Sequence, residues 1–151
     1  MSEKVICANP KAFHDYFVEE RFEAGVVLAG SEVKSLRLGK ANIKDSHALI
    51  KGDEAYLLNL HITPYQKIDS FSPEPDRTRK LLLHKGEIKK LFGKMKEKGY
   101  TLIPLRLYFK GDKVKVELGL ALGKKLYDKR ESIKKKEVSR ELQKVMKERS
   151  R

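Results

Sequence analysis

The sequence predicts a mainly β fold, a small closed antiparallel barrel carrying about three short helices and a basic carboxyl-terminal tail. Three observations carry this expectation. Two stretches of alternating apolar and polar residues are each interrupted at a Gly-Asp pair, Gly52-Asp53 and Gly111-Asp112, which is tight-turn chemistry between paired strands. A third run, Tyr16 to Leu28, alternates aromatic or β-branched residues with charges before turning continuously apolar. Beyond Leu122 the strand pattern stops, and Lys, Arg and Glu dominate to the end of the chain.

Taken in order, Tyr16–Leu28 reads as a strand in which Gly25 marks a bulge or bend. In the segment that follows, Ser31 is placed to cap a short helix, Glu32 favours its positive end and Gly39 stops it, with Val33 and Leu36 toward the core. The first Gly-Asp hairpin spans 47–58 and the second 105–116. In the second, Leu105, Leu107 and Phe109 share one face of their strand, and Val114, Val116, Leu118, Leu120 and Leu122 share one face of theirs, so one side of the sheet is inside. Pro104 points to an edge or bulge position.

Between the hairpins, Thr63 to Asp76 contains Pro64, Pro73 and Pro75 and is long enough to be a functional loop. Lys85 to Lys98 reads as a helix with Ile88, Leu91, Phe92 and Met95 on one stripe, closed by Gly99. A barrel is an economical closure for such elements because it leaves no long edge strand exposed. The oligonucleotide-binding type, a Greek-key barrel of about five strands, fits best, although the pattern also allows an open α+β sheet. A length of 151 residues suits one such domain, at 1–122, followed by a tail at 123–151.

The net charge of +13 points to nucleic acid or an anionic membrane surface, and +7 of it lies in the tail. Membrane association is the weaker branch, since no long apolar run or lipidation signal is present, and a cytoplasmic protein is expected. Cys7 is the lone cysteine, without the paired spacing of a zinc site, and the four histidines are scattered, so no metal or other cofactor is expected. No nucleophile elbow or Gly-rich phosphate loop appears, and the acidic run around Glu19, Glu20 and Glu23 reads as a solvated strand face. The expectation is a binding protein rather than an enzyme.

RNA is gripped by phosphate contacts from Arg and Lys and by stacking of unpaired bases on flat side chains. Arg37, Arg77, Arg79, Lys80, Lys124 and Lys125 are the phosphate candidates, and His14, Tyr16, His84 and Tyr127 the ring candidates. In the tail, Asp128 with Glu131 three residues on resembles a capping box, and Val138, Leu142 and Val145 recur at helical spacing. With so thin an apolar stripe the tail is expected to be disordered when free and helical when bound.

The strings Asn9–Phe17, Phe22–Gly25, Glu32–Arg37, Arg77–His84, Leu102–Tyr108 and Gly123–Arg130 together resemble the small protein B family, bacterial SsrA-binding proteins that partner tmRNA. The resemblance runs from Asn9 to the end of the chain. It implies an oligonucleotide-binding-type barrel, no catalysis, binding to the tRNA-like domain of tmRNA, and delivery with elongation factor Tu and GTP to stalled ribosomes in trans-translation. By position it implies that Glu23, Leu82 and His84 belong to the tmRNA-binding face, with Asn9, His14 and Tyr16 as neighbouring contacts. It places Tyr127, Asp128, Lys129 and Arg130 at the decoding centre of the ribosome's small subunit. Ile133 and Lys134 continue that tail, and Val145 and Met146 belong to a helix bedded in the empty mRNA channel. Without the resemblance, a ribosomal or ribosome-assembly RNA-binding protein is the alternative.

Overall fold

In the computed structural model, which describes residues 2–65, 73–97 and 99–124, the alternating runs are strands and the periodic ones helices. The order is β1 (Glu3–Ala8), α1 (Pro10–Asp15), β2 (Tyr16–Val26), α2 (Gly30–Arg37), β3 (Ala41–Asn42), β4 (His47–Lys51), β5 (Glu54–Leu58), β6 (His61–Ile62), β7 (Arg79–Leu82), α3 (Lys85–Met95), β8 (Tyr100–Lys110) and β9 (Lys113–Gly123). The chain is mainly β with three helices among the described residues. Seven strands form one antiparallel sheet in the order β1-β8-β4-β5-β7-β2-β9, and β8 pairs with β9 as well. Hydrogen bonding therefore passes from β8 through β4, β5, β7 and β2 to β9 and back to β8. Strands β3 and β6 form a separate pair.

Both Gly-Asp hairpins close as the sequence predicts, with Lys51 opposite Glu54 and Lys110 opposite Lys113. Gly52 and Gly111 have φ of 63° and 65°, left-handed values at the first turn position that a residue with a Cβ resists, as in a type II′ turn. Inside the sheet, Leu57, Leu102, Leu107, Val116, Leu118 and Leu120 are fully enclosed, and α2 and α3 each add a buried leucine, Leu36 and Leu91.

Several local expectations are corrected. The bulge in β2 falls at Glu19 rather than Gly25. Gly25 instead stands opposite both Lys115 of β9 and Leu82 of β7, and a Cβ there would lie 3.3 Å from the Leu82 Cβ. The β8 bulge falls at Leu105, beside Pro104, and it reverses the side-chain alternation. Leu107 and Phe109 therefore enter the main core, while Leu105 turns to the opposite face with Ile103, Ala121 and Ala12. Ser31 does not cap α2. Ala29 is the N-cap, its N–H donates to Glu32 Oε1 at 2.9 Å, and the Ser31 hydroxyl is buried without a partner. Phe92 leaves the buried stripe of α3 and is 44% exposed under the Lys96 ammonium.

Glu32 is 4% exposed and holds two arginines. Arg77 donates to both its oxygens, and Arg79, completely buried, donates to Oε2 through Nε at 2.8 Å and through Nη2. Arg79 also donates to the carbonyls of Leu60, Arg77 and Pro75, so all five of its N–H donors are spent inside the protein. Burial pushes the Glu32 carboxyl up, but donation from Arg77, Ala29 and Arg79 outweighs it and holds the pKa below the ordinary glutamate value. Such a group stabilises the fold fully above the unfolded pKa of about 4.3, and that contribution is lost as pH falls through its lower folded value. Arg79→Ala leaves Glu32 buried with Arg77 as its one remaining cation. We expect a loss of about 3–5 kcal/mol in urea unfolding and an acid transition that begins at higher pH, whereas Lys80→Ala leaves both unmoved.

Candidate nucleic-acid interface

The outward face of β8, β9 and β2, opposite the main core, carries Tyr16 and Glu23 on β2, with Asn9 at its edge where α1 begins. Pro10 starts α1 at a position where its missing N–H is no loss. The preceding Asn9 fastens the helix to the β8 bulge, with its N–H 2.8 Å from the Leu105 carbonyl and its side-chain amide 3.4 Å from that of Pro104. Ala12 packs onto Ile103, Leu105 and Ala121, so α1 rides on the outside of the sheet. Between α1 and the turn before β4 lies a cleft of about 380 Å³, whose lining includes Asn9, Lys11, Tyr16, Lys44, Ser46 and His47.

Beyond α1 the same face carries an ordered ladder of charge. Glu117 accepts from Arg21 Nη1 at 3.1 Å and from Arg106 Nε at 2.8 Å, and Arg106 reaches on to Glu3 at 3.1 Å. The Arg106 guanidinium also lies 4.2 Å from the Tyr108 ring centroid. Tyr108 donates its hydroxyl to Glu23, which accepts from Lys110 Nζ at 3.2 Å as well. Glu23 stands directly opposite Glu117 in the β2–β9 register, and this like-charge juxtaposition is tolerated because each carboxylate has its own cations. The Tyr108 donation, with help from Lys110, outweighs desolvation and holds the Glu23 pKa below the ordinary value. Burial, followed by the Glu23 bond, pushes the Tyr108 phenol well above its own.

The structure thus brings Asn9 and Tyr16 together at one end of the face and Glu23 and Leu82 at the other, since Leu82 lies against Gly25 and is 54% exposed. His14 is exposed on α1, with its Nδ1 2.9 Å from Asp15 Oδ1. Lys80 shares the outward side of β7 with Leu82 and pairs with Glu54 at 3.0 Å. His84 is the exposed N-cap of α3, and Arg37 is exposed in the last turn of α2. Arg79 leaves the phosphate set, because it is sealed in with every donor used, and Arg77 is turned inward to Glu32 and the Val27 carbonyl. Lys124 follows Gly123, which pairs with Tyr16, so the tail departs beside the end of α1. Lys125, Tyr127, Asp128, Lys129, Arg130, Ile133, Lys134, Val145 and Met146 lie outside the described residues.

Sequence reasoning missed Arg21, Arg106, Tyr108, Lys110 and Glu117. The hairpin register, once set by Gly111-Asp112, places Arg106 across from Glu117 and would have found that pair. No metal-binding group of three or more His, Cys, Asp or Glu occurs among the described residues. Burial raises the Cys7 thiol to about 11, against a smaller opposing effect from the Ile43 backbone, so it stays protonated and a poor nucleophile.

A mainly β body whose outer face is laced with arginine and lysine beside the exit of a basic tail has the make-up of a nucleic-acid-binding protein. The model of the SmpB protein family matches residues 6–148, and the chain belongs to that family. It is 64% identical over 151 residues to the SsrA-binding protein of Geobacter metallireducens, covering 100% of this chain and 99% of that one. It is equally identical to the SsrA-binding protein of Geotalea uraniireducens, over 100% of both chains. Among solved structures it is similar to a chain of "tmRNA-SmpB: a journey to the center of the bacterial ribosome", with 49% identity and a TM-score of 0.66 over 78% of this chain and 82% of that one.

Tyr108→Phe removes the hydroxyl that Glu23 accepts. In a carbon-detected NMR titration of the glutamate carboxyls, the Glu23 pKa should rise toward the ordinary glutamate value while the resonances of the main core stay in place. An unchanged Glu23 titration would show that Lys110 alone sets it.

Proposed function

We propose that this protein binds the tRNA-like domain of tmRNA and delivers it to stalled ribosomes for trans-translation, which rescues the ribosome and tags the nascent peptide. The observation that carries the reading is full-length similarity, at 64% identity, to SsrA-binding proteins. The outward face between α1 and β7 supports it with exposed polar and apolar groups set on a hydrogen-bonded sheet. The proposed tmRNA contacts are His14, Tyr16, Glu23, Lys80, Leu82 and His84, with Arg37, Lys124 and Lys125 at phosphates, while Asn9, which is buried, serves the interface by holding the start of α1 on the β8 bulge. A carboxylate repels phosphate, so Glu23 acts by accepting from base or sugar donors and by orienting Tyr108 and Lys110.

The wider reading follows from the same family. The ring of strand pairings is a closed oligonucleotide-binding-type barrel over residues 1–122, and 123–151 is a tail that folds as a helix on the ribosome. Tyr127 stacks at the decoding centre, with Asp128, Lys129 and Arg130 beside it, and Ile133, Lys134, Val145 and Met146 run into the mRNA channel. The complex includes elongation factor Tu with GTP, works in the cytoplasm and involves no catalysis or cofactor. No helix among the described residues is long and apolar enough to cross a membrane.

Sequencing the RNA that co-purifies with the protein from its native host tests the class, and tmRNA should be enriched over all other stable RNAs. Retention on ribosomes through high-salt washing without that enrichment would favour a ribosomal protein instead. Alanine at both Glu23 and His84 should weaken binding to the tRNA-like domain about tenfold or more in a gel-shift titration, with the thermal unfolding transition retained. Truncation before Tyr127 should preserve most of that binding and abolish tagging of stalled chains in a reconstituted translation assay. Normal tagging by the truncated protein would refute the division of labour between body and tail.

A further inference from the structure

Phe13 stands out because the folding of its own helix does not use it. Ala12 is the residue of α1 that packs on the sheet, whereas Phe13 is 43% exposed on a helix whose neighbouring charges would normally recruit solvent. Its ring is not bare. The Arg21 guanidinium lies 5.2 Å from the ring centroid, and Arg21 is itself fixed by Glu117 on β9. A ring held against a guanidinium, partly open to solvent, with His14 next in sequence and Lys124 close to Asp15 at the helix end, presents an apolar flat surface within a cationic setting.

We infer that Phe13, backed by Arg21, is a stacking platform for one unpaired base of the bound RNA. A nucleotide matches both parts of this surface: its base offers a π face to the phenyl ring, and its phosphate offers an anion to Arg21 or Lys124. The exposed guanidinium favours RNA over an apolar protein segment, which would bury the ring but take the solvent-facing Arg21 donors out of water without offering them an acceptor. The platform lies between the two ends of the candidate interface. Through Arg21, Glu117, Arg106 and Tyr108 it connects by successive side-chain contacts to Glu23, so one strand of RNA crossing the face would meet both.

The inference rests on RNA binding as proposed above and has its own test. The chain contains no Trp, so Phe13→Trp introduces a single indole whose emission a stacked base quenches. On titration with the transcribed tRNA-like domain of tmRNA, Phe13→Trp should bind like the parent and lose much of its emission, while Phe92→Trp on α3 should not. Phe13→Ala should weaken binding about fivefold or more, Phe13→Tyr should bind normally, and Phe13→Leu should remain weakened despite its apolar bulk. The platform is refuted if the parent binds the RNA while Phe13→Trp emission is unchanged, if Phe92→Trp is quenched equally, or if Phe13→Leu binds like the parent. Failure of the parent to bind the RNA at all would overturn the functional reading and this inference with it.

Discussion

The buried carboxylate of Glu32 holds together parts of the chain that no strand pairing joins. It accepts from the Ala29 N–H at the start of α2, from Arg77 in the segment entering β7, and from Arg79 on β7 itself. A carboxylate taken out of water is costly unless nearly every lone pair is used, and here the fully buried cation, Arg79, arrives with its remaining donors satisfied by carbonyls. The arrangement fixes β7, the short strand through which hydrogen bonding passes from β5 to β2. It also sets the side-chain alternation of β7, so that Arg79 and Leu81 face inward while Lys80 and Leu82 face out. The candidate interface at that end of the molecule depends on a charge cluster on the opposite side of its own strand.

A second constraint shapes the other end. The bulges at Glu19 in β2 and Leu105 in β8 flank Gly119 of β9, which stands opposite Arg21 on one side and Ile103 on the other. Any Cβ on Gly119 would come within 3.1 Å of Leu105 and 3.2 Å of Val18, so the missing side chain is what lets both neighbours close over the central strand. Bulges increase local twist and bend a sheet, and here they turn Leu105 outward to make the apolar seat for Ala12. The position of α1, and of the residues carried on it, therefore follows from one glycine and two extra residues in the strands beside it.

The parts of this architecture governed by local chemistry were legible in the sequence. Gly52-Asp53 and Gly111-Asp112 gave their turns, and Tyr16 to Leu28 gave a strand that ends two residues sooner, at Val26, because backbone conformation and period are encoded within a few residues. The exchange of faces at Leu105 was not legible, since Pro104 signals a bulge without saying which residue is the extra one. The fate of Arg79 was hidden for a different reason. In an Arg-Thr-Arg-Lys string every cation looks equally able to meet a phosphate, and only the tertiary position of Glu32, 47 residues away, withdraws one of them into the core. Ser31 misled because its side chain suits a cap, while the carboxylate that takes the Ala29 N–H also serves the arginines.

The ladder on the outer face has a property that separates two tasks in RNA recognition. Its named cations, Arg21, Arg106 and Lys110, are matched by Glu3, Glu23 and Glu117, so the ladder is close to neutral although the chain as a whole carries +13. A neutral, cross-linked surface releases few counterions and gains little from phosphate attraction, but it holds donors and acceptors in fixed places where a base or ribose edge can read them. The long-range attraction must then come from cations outside the ladder, in the rest of the body, whose residues 1–122 carry +6 of the +13, as well as in the tail with its +7. Affinity that falls with salt and geometry that selects the partner are thus carried by different sets of side chains, the cations outside the ladder and the cross-linked ladder itself.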